Sequence, residues 1–530
     1  MNHQPPLSAF LGHRGSESHA AVSVSLVADE AGPVALLDRL ARSAGEDAAE
    51  SGRADVFLFE RVEGGSRVDR WSYFGAGRFE RFEVRGGAGV WIRDGATSPE
   101  HITDPLDALR SRVAGLSVWT PGRLPPFHGG LVGYLGFDAI ACFEDLPLPP
   151  GPGLGLPDAV WMLVDEVWAF DHATRTLQGV VLAPLAGDTA GRAAAHAAAC
   201  ARLDGGLGRM RRRTDRMRPS LDLATGVVPV QGETTGAPTV SALRANRSPA
   251  DFQAAVVRAR EAISAGEIFQ VVVSQRFTVD VVVDPLDLYR AYRALNPSPY
   301  HFYLDLGGYQ LVGASPEVLV RVRDSAVLVR PIAGTRRRGL TAAADRALEA
   351  ELLADAKELA EHRMLVDLGR NDVGRVAAIG SVRVVDPLHI ERFSHVMHIV
   401  TDVEGSLAAD SDAFDALRAA FPAGTVSGAP KIRACELLAE LEPDRRGPYA
   451  GAVGWIGLNG DLDTSIAIRT AVVTPGAVHL QAGAGIVFDS NPLREHEECR
   501  EKAAAALRAI DVAHAGALSA VASDRAGGPE

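Results

Sequence analysis

Cysteine is scarce: there are four in 530 residues, at 142, 200, 435 and 499, and no two form a CxxC pair. That excludes a disulfide framework and a thiolate zinc site, so reduced thiols are expected. Basic charge is short as well. Lys plus Arg total 54 against 67 Asp plus Glu, a formal net charge of -13, the wrong sign for a nucleic-acid or anionic-membrane partner. No run reaches the ~18 apolar residues of a membrane helix. The opening MNHQPPLSAFLGHRG has no apolar signal-peptide core. There is no Walker P-loop, no HExxH and no GxSxG. The expected setting is a cytoplasmic enzyme.

What is present is ordinary globular composition, 47% hydrophobic and 23% charged, enough to bury a large core. Between Asp55 and Gly95 the runs DVFLFE, RWSYFGAG, RFEVRGG and VWIRDG alternate with glycine turns, which predicts an antiparallel meander. Residues 188–213 predict a helix running into the basic cluster Arg209–Arg218, read as a solvated helix end rather than a docking site. The Pro/Gly/Ser/Thr-rich stretch 219–246 predicts a boundary. Beyond it, helical spacing covers 249–265 and one long helix is predicted over 346–373. IFQVVVSQRFTVDVVV, HVMHIVTDVEG, GAVGWIGL, TSIAIRTAVV and VHLQAGAGIVF read as strands. A last helix runs from Pro492 to Ile510. Strands in neighbouring groups with helices between predict an α+β fold with antiparallel sheets.

Several residues could carry chemistry. Glu358 and Glu361 with His362, and Glu495, Glu497 and Glu498 with Lys502, are either surface charge or, from two helices across a cleft, a divalent-ion site. The small residues of QAGAGIVF are either a tight turn or an anion nest. Arg469, read within an apolar strand, either pairs with an internal acid or awaits a carboxylate or phosphate. His395 and His398 form HxxH, but on a strand they point to opposite faces and cannot share one ion.

In order along the chain stand NPSPY (296–300), GASPE (313–317), PIAGTRRRG (331–339), KELAEHRMLVDLGRND (357–372) and ERFSHVMHIV (391–400). They are followed by FPAGTVSGAPKIRA (421–434), RRGPYAGAVGW (445–455), GDLDTSIAIRTAVV (460–473), QAGAGIV (481–487) and EECREKAAAALRAI (497–510). With these runs the chain resembles the chorismate-utilising enzymes, most closely the large-subunit anthranilate synthase family. The likeness is dense over 250–510 and weaker over 53–180.

The resemblance implies an α+β fold with two large antiparallel sheets in an α/β/β/α arrangement, and a Mg²⁺-dependent lyase reaction on chorismate. It implies a regulatory-type domain over 21–185 and a chorismate-binding catalytic domain over 247–512. Composition predicts a flexible N-terminus over 1–20, a helix and linker over 186–246 and a disordered tail over 513–530. By likeness, Glu361 and Glu498 are the Mg²⁺ ligands. Gly483, Ala484 and Gly485 form the nest for a substrate carboxylate, with Lys502 among the substrate-binding residues. Tyr449 and Arg469 hold the enolpyruvyl carboxylate, and Gly334 and Thr335 contact the ring. Glu317 is the general acid for the 4-hydroxyl, and His398 assists proton loss from C2.

Two positions discriminate within the family. Gln270 stands where isochorismate and salicylate synthases carry a water-activating Lys, and an amide is no base at neutral pH. Ala333 stands where 4-amino-4-deoxychorismate synthases carry a covalent Lys. Both imply ammonia adding at C2. No cysteine here sits in a Gly-x-Cys-x-Gly-x-Gln nucleophile motif, so nitrogen must be imported, and the implied partner is a glutamine amidotransferase subunit in a hetero-oligomer. The alternative reading is a 2-amino-2-deoxyisochorismate synthase that stops before pyruvate elimination; a silent regulatory paralogue would have lost a Mg²⁺ ligand or Arg469. Tryptophan-regulated relatives carry Leu-Leu-Glu-Ser and NPSPYM where this chain has Leu58, Phe59, Glu60, Arg61 and Pro299, Tyr300, His301. Arg61 is expected to fill the inhibitor pocket or pair with Glu60, unless it swings to solvent, and His301 to make an apolar wall polar.

Overall fold

The computed structural model describes residues 2–48, 54–61, 70–212, 218, 221, 223, 243–392 and 396–526. Among them, strands form one thirteen-stranded and one twelve-stranded sheet. All pairings are antiparallel except that of His19–Val27 with Val118–Trp119. The sheets face each other over a core that includes Phe57, Tyr134, Phe302 and Trp455. The first sheet's outer face is covered by helices that include Pro285–Leu295 and Pro492–Ala526. Lys431–Leu441 also packs on the first sheet, against Gln270–Asp280, while Pro105–Val113 and Ala413–Ala420 lie on the second. This is the expected α/β/β/α arrangement.

Both halves of the sequence contribute to both sheets. Asp55–Arg61 pairs with Tyr300–Asp305 in the first, and Gly130–Leu135 with Ala452–Gly457 in the second. The boundary expected at 219–246 falls largely outside the described residues. Arg218, from the basic cluster, is no solvated helix end: it pairs with Asp38, Asp284 and Asp287.

Local structure departs from the sequence reading in five places. The meander is divided, because the chain changes sheet between Trp71–Gly77 and Glu80–Arg85. TSIAIRTAVV is two strands, Leu462–Ile466 in the second sheet and Thr470–Thr474 in the first. The long helix is broken at Asp355, whose extended backbone ends Ala342–Ala354 and whose carboxylate caps Ala356–Gly374 through the N–H groups of Lys357 and Glu358. The N-terminal segment is packed rather than frayed: Phe10 is fully buried and its carbonyl accepts from Arg192. The last helix continues past Ile510 to Ala526, its Val512 and Ala513 buried against the first sheet, which gives the expected tail an apolar anchor.

Candidate active site

The site residues gather where the chain passes between sheets. Gln310–Ser315 lies in the first sheet and Val318–Arg323 in the second, and Glu317 stands on the link between them. Arg469 stands on the corresponding link from Leu462–Ile466 to Thr470–Thr474, so it is a crossover residue, not a strand residue. Its φ is +47°, and Ala450, one residue after Tyr449, has φ +64°. Non-glycine residues in this region carry ~1–3 kcal/mol of strain and cluster at functional sites. Arg469 makes no ion pair among the described residues, and burial pushes its pKa down. Glu317 is the nearby acid that acts on it, opposing the effect of burial.

Glu317 is buried and accepts a hydrogen bond from Thr425 Oγ1 at 2.9 Å. Desolvation pushes its pKa up to about 8, against the opposing pull of that hydrogen bond and of Arg469 and Lys502. It is therefore a proton carrier at neutral pH. Thr425 has no role in the sequence reading, although it lies in the quoted FPAGTVSGAPKIRA run; its contact with Glu317 is visible only in three dimensions.

His398, on Val396–Ser406, lies opposite Thr335 across the Ile332–Arg337 strand. Its Nδ1 is 3.1 Å from both the Gly334 carbonyl and Thr335 Oγ1. A carbonyl can only accept, so the neutral ring carries its proton on Nδ1 and its lone pair on Nε2. Burial, helped by Arg469, pushes its pKa down to about 4. Gly334 has φ +68° at the irregularity between Ala333 and Thr335, and a Cβ there would come within 3.3 Å of Glu358 Oε2. His395 lies outside the described residues.

Gly483, Ala484 and Gly485 are extended within Ala477–Ile486, not a turn. The Thr470–Thr474 strand pairs with this one only as far as Leu480, so from Gln481 onward one edge has no neighbouring strand among the described residues. A Cβ on Gly485 would sit 2.7 Å from Gln270 Nε2, and one on Gly483 would sit 3.1 Å from the Tyr449 hydroxyl. Lys502 Nζ donates to the Gly483 carbonyl at 2.9 Å and pairs with Glu498 at 2.8 Å.

Glu361 and Glu498 project from two helices, Ala356–Gly374 and Pro492–Ala526. Burial, then the neighbouring Glu358 and also Glu498, push the pKa of Glu361 up. Gln270 Nε2 donates to Glu361 at 3.2 Å, while its buried Oε1 has no partner among the described residues. Among the described residues no three His, Cys, Asp or Glu side chains group to hold a metal. A carboxylate on each of two helices nevertheless suits Mg²⁺, which commonly takes one or two carboxylates and completes its shell with water and substrate oxygens.

The Glu60–Arg61 and Pro299–His301 segments also meet: Glu60 lies opposite His301 and Arg61 opposite Tyr300. Arg61 does not swing to solvent and does not pair with Glu60. It lies 4.6 Å over the Tyr300 ring and donates to Asp463, on the other sheet, at 3.1 Å. Glu60 instead accepts from Tyr289 at 2.6 Å and pairs with Arg293. His301 is buried, with Nδ1 unpartnered among the described residues, and desolvation pushes its pKa down to about 3.

The model of the chorismate-binding enzyme family matches residues 64–508. The chain belongs to that family. Its relatives include proteins named anthranilate synthase component 1. The one from Acetivibrio thermocellus is 41% identical over 93% of this chain and 95% of its own length. The one from Streptomyces coelicolor is 47% identical over 87% and 84%. Among solved structures, anthranilate synthase component I from Streptococcus pneumoniae superposes with a TM-score of 0.71 at 36% identity, covering 84% of this chain and 94% of that one. The menaquinone-specific isochorismate synthase of Escherichia coli, at 19% identity and TM-score 0.65 over 95% and 98%, shares the fold. Chorismate-binding enzymes of this kind are generally Mg²⁺-dependent. No helix among the described residues of this family member is long and apolar enough to cross a membrane.

Proposed function

We propose that this chorismate-binding enzyme is an anthranilate synthase component I, converting chorismate and ammonia to anthranilate and pyruvate. The observation that carries this reading within the family is Gln270. Its amide is spent on Glu361 and cannot activate water, so ammonia, itself a nucleophile, is the co-substrate. Identities of 41% to 47% with proteins named anthranilate synthase component 1, over most of both chains, support the same reading.

Glu361 and Glu498 would hold Mg²⁺ against the ring carboxylate, where it supplies charge neutralisation. Arg469 and Tyr449 hold the enolpyruvyl carboxylate, an arginine in no ion pair among the described residues being suited to the task. The edge of Gly483–Gly485 presents backbone to a substrate carboxylate without side chains in the way. Ammonia forms the N–C2 bond as C4–O breaks, and protonated Glu317 delivers the proton with which the hydroxyl leaves as water. His398 Nε2 then takes the C2 proton, the C–O bond to the side chain breaks, and enolpyruvate leaves to become pyruvate as the ring aromatises. The ammonia comes from a separate glutamine amidotransferase subunit.

The test is direct. Purified chain with chorismate, Mg²⁺ and ammonium salt should yield fluorescent anthranilate, and glutamine should not replace ammonium. A non-aromatic amino acid that retains its enolpyruvyl group would identify the enzyme as a 2-amino-2-deoxyisochorismate synthase instead. Glutamine-dependent turnover by rigorously pure chain would remove the need for the partner.

A further inference from the structure

Tyr449 sits on a segment with few bonds of its own. Tyr449 is buried, and among the described residues no hydrogen bond holds its hydroxyl. What fixes it comes from elsewhere in the chain. Arg446, almost fully buried, directs Nε and Nη2 to Glu442, Nη1 to the Val426 carbonyl at 2.8 Å, and Nη2 also to the Val272 carbonyl at 2.6 Å. Its guanidinium lies 4.3 Å over the Phe137 ring and 5.7 Å from the Tyr449 ring centroid. Glu442 in turn accepts from the Ser274 N–H and hydroxyl, and Ser274 is the residue paired with Gly483. One buried ion pair thus touches the neighbour of Thr425, the strand beside Gly483, and the Tyr449 ring.

The backbone of the segment is held from the N-terminal half. Asp138, on the 3-10 turn Phe137–Cys142, is buried, and its two oxygens accept from the Gly447 N–H at 2.6 Å and the Arg446 N–H at 3.4 Å. The neighbouring Phe137 N–H donates to the Gly447 carbonyl at 2.8 Å. A carboxylate that accepts two backbone N–H bonds fixes both peptide planes, and Tyr449 follows two residues after the second. Burying that carboxylate costs free energy, and the fold retains it where the amino-terminal half meets the Tyr449 segment, beside the backbone bonds that Gly151 makes to Arg445 and Pro443.

We infer that Asp138 and Arg446 are positioning residues for Tyr449, through which the amino-terminal half of the chain sets the geometry of the substrate-carboxylate site. The inference rests on the reading of Tyr449 as a substrate contact. Binding that is equal in ground and transition states appears in KM and leaves kcat alone. Tyr449→Phe should therefore raise KM for chorismate about tenfold, the loss of one hydrogen bond to a charged group. Asp138→Asn keeps the shape but offers an amide N–H to one of the two backbone donors, and should raise KM about 5- to 20-fold with kcat within about threefold.

The double variant separates this from a general loss of stability. If Asp138 acts through Tyr449, adding Asp138→Asn to Tyr449→Phe raises KM by less than about twofold more. Full multiplication of the two effects would overturn the proposal, as would a fall in kcat at unchanged KM, the mark of a partly unfolded population. An unchanged KM in Tyr449→Phe would instead overturn the substrate assignment on which the proposal rests. Arg446→Lys gives a second arm if Asp138→Asn does not fold: it keeps the charge beside Glu442 but loses the fork that reaches two carbonyls, and should show the same KM rise and the same lack of additivity.

Discussion

Glu317 and Arg469 stand on adjacent crossings between the two sheets, and each is bonded through its backbone to the other's segment. The Ala314 N–H donates to the Arg469 carbonyl at 3.1 Å, and the Ile466 N–H to the Glu317 carbonyl at 3.0 Å. Glu317 and Arg469 are thus set by main-chain bonds between the two crossings. Arg469 lowers the pKa of Glu317 and Glu317 raises that of Arg469, but burial outweighs both effects. Glu317 stays proton-bearing at neutral pH beside a cationic Arg469, which is what the proposed proton donor and carboxylate clamp would need.

That balance fixes a pH dependence. The folded pKa of Glu317 is raised to about 8, so its acid form dominates at neutral pH and is lost as pH climbs through 8. The fraction of ammonium present as free ammonia rises over the same range. With ammonium salt, kcat/KM should climb with pH below 8 and flatten above it instead of following free ammonia. A rate that tracked free ammonia without a break would remove Glu317 as the acid. By linkage, the protonated group's contribution to stability is complete below the unfolded carboxyl range and disappears as pH rises through 8. Thermal unfolding of Glu317→Gln should lack that decline.

Glu361→Gln and Glu498→Gln should each abolish turnover. Removing one of two anionic ligands costs several kcal/mol of charge stabilisation, or more than a thousandfold in rate. Near-normal rates in saturating Mg²⁺ for either variant would show that the metal is held elsewhere.

His398→Met should separate the two half-reactions. It removes the base for C2 deprotonation but not the proton donor for the 4-hydroxyl, so amino-deoxyisochorismate should accumulate and be seen by chromatography. Equal slowing of both steps would make His398 a binding residue.

Tryptophan inhibition should be weak or absent. Arg61 occupies the space between Tyr300 and Asp463, its side chain only 13% exposed, and Glu60 is committed to Tyr289 and Arg293. Overfilling a packed pocket costs about 1–3 kcal/mol, roughly 5- to 150-fold in affinity. Such an enzyme would suit a secondary-product pathway. Arg61→Ser combined with His301→Met should restore sensitivity, and a low-micromolar inhibition constant in the unaltered protein would refute the pocket argument.

The sequence by itself determined the antiparallel α+β class, most helices and strands, and the helix origin of Glu361 and Glu498. These are local facts, written in apolar periodicity, turn glycines and capping residues such as Asp355, which marks the helix break within the run read as continuous. Ordered motifs also fixed the family, because many short runs in one order survive without knowledge of their contacts. Only the tertiary structure decided which strands share a sheet, since a strand's period of two says which face is apolar and nothing about its neighbours. It alone placed Arg469 and Glu317 on crossings, and at Arg469 the change of sheet interrupts a hydrophobic run that reads as unbroken. It alone sent Arg61 across to Asp463, 402 residues away in sequence, and brought Asp138 beneath the Tyr449 segment. Such partners are chosen by the packing of two sheets drawn from both halves of the chain, and no local pattern encodes that choice.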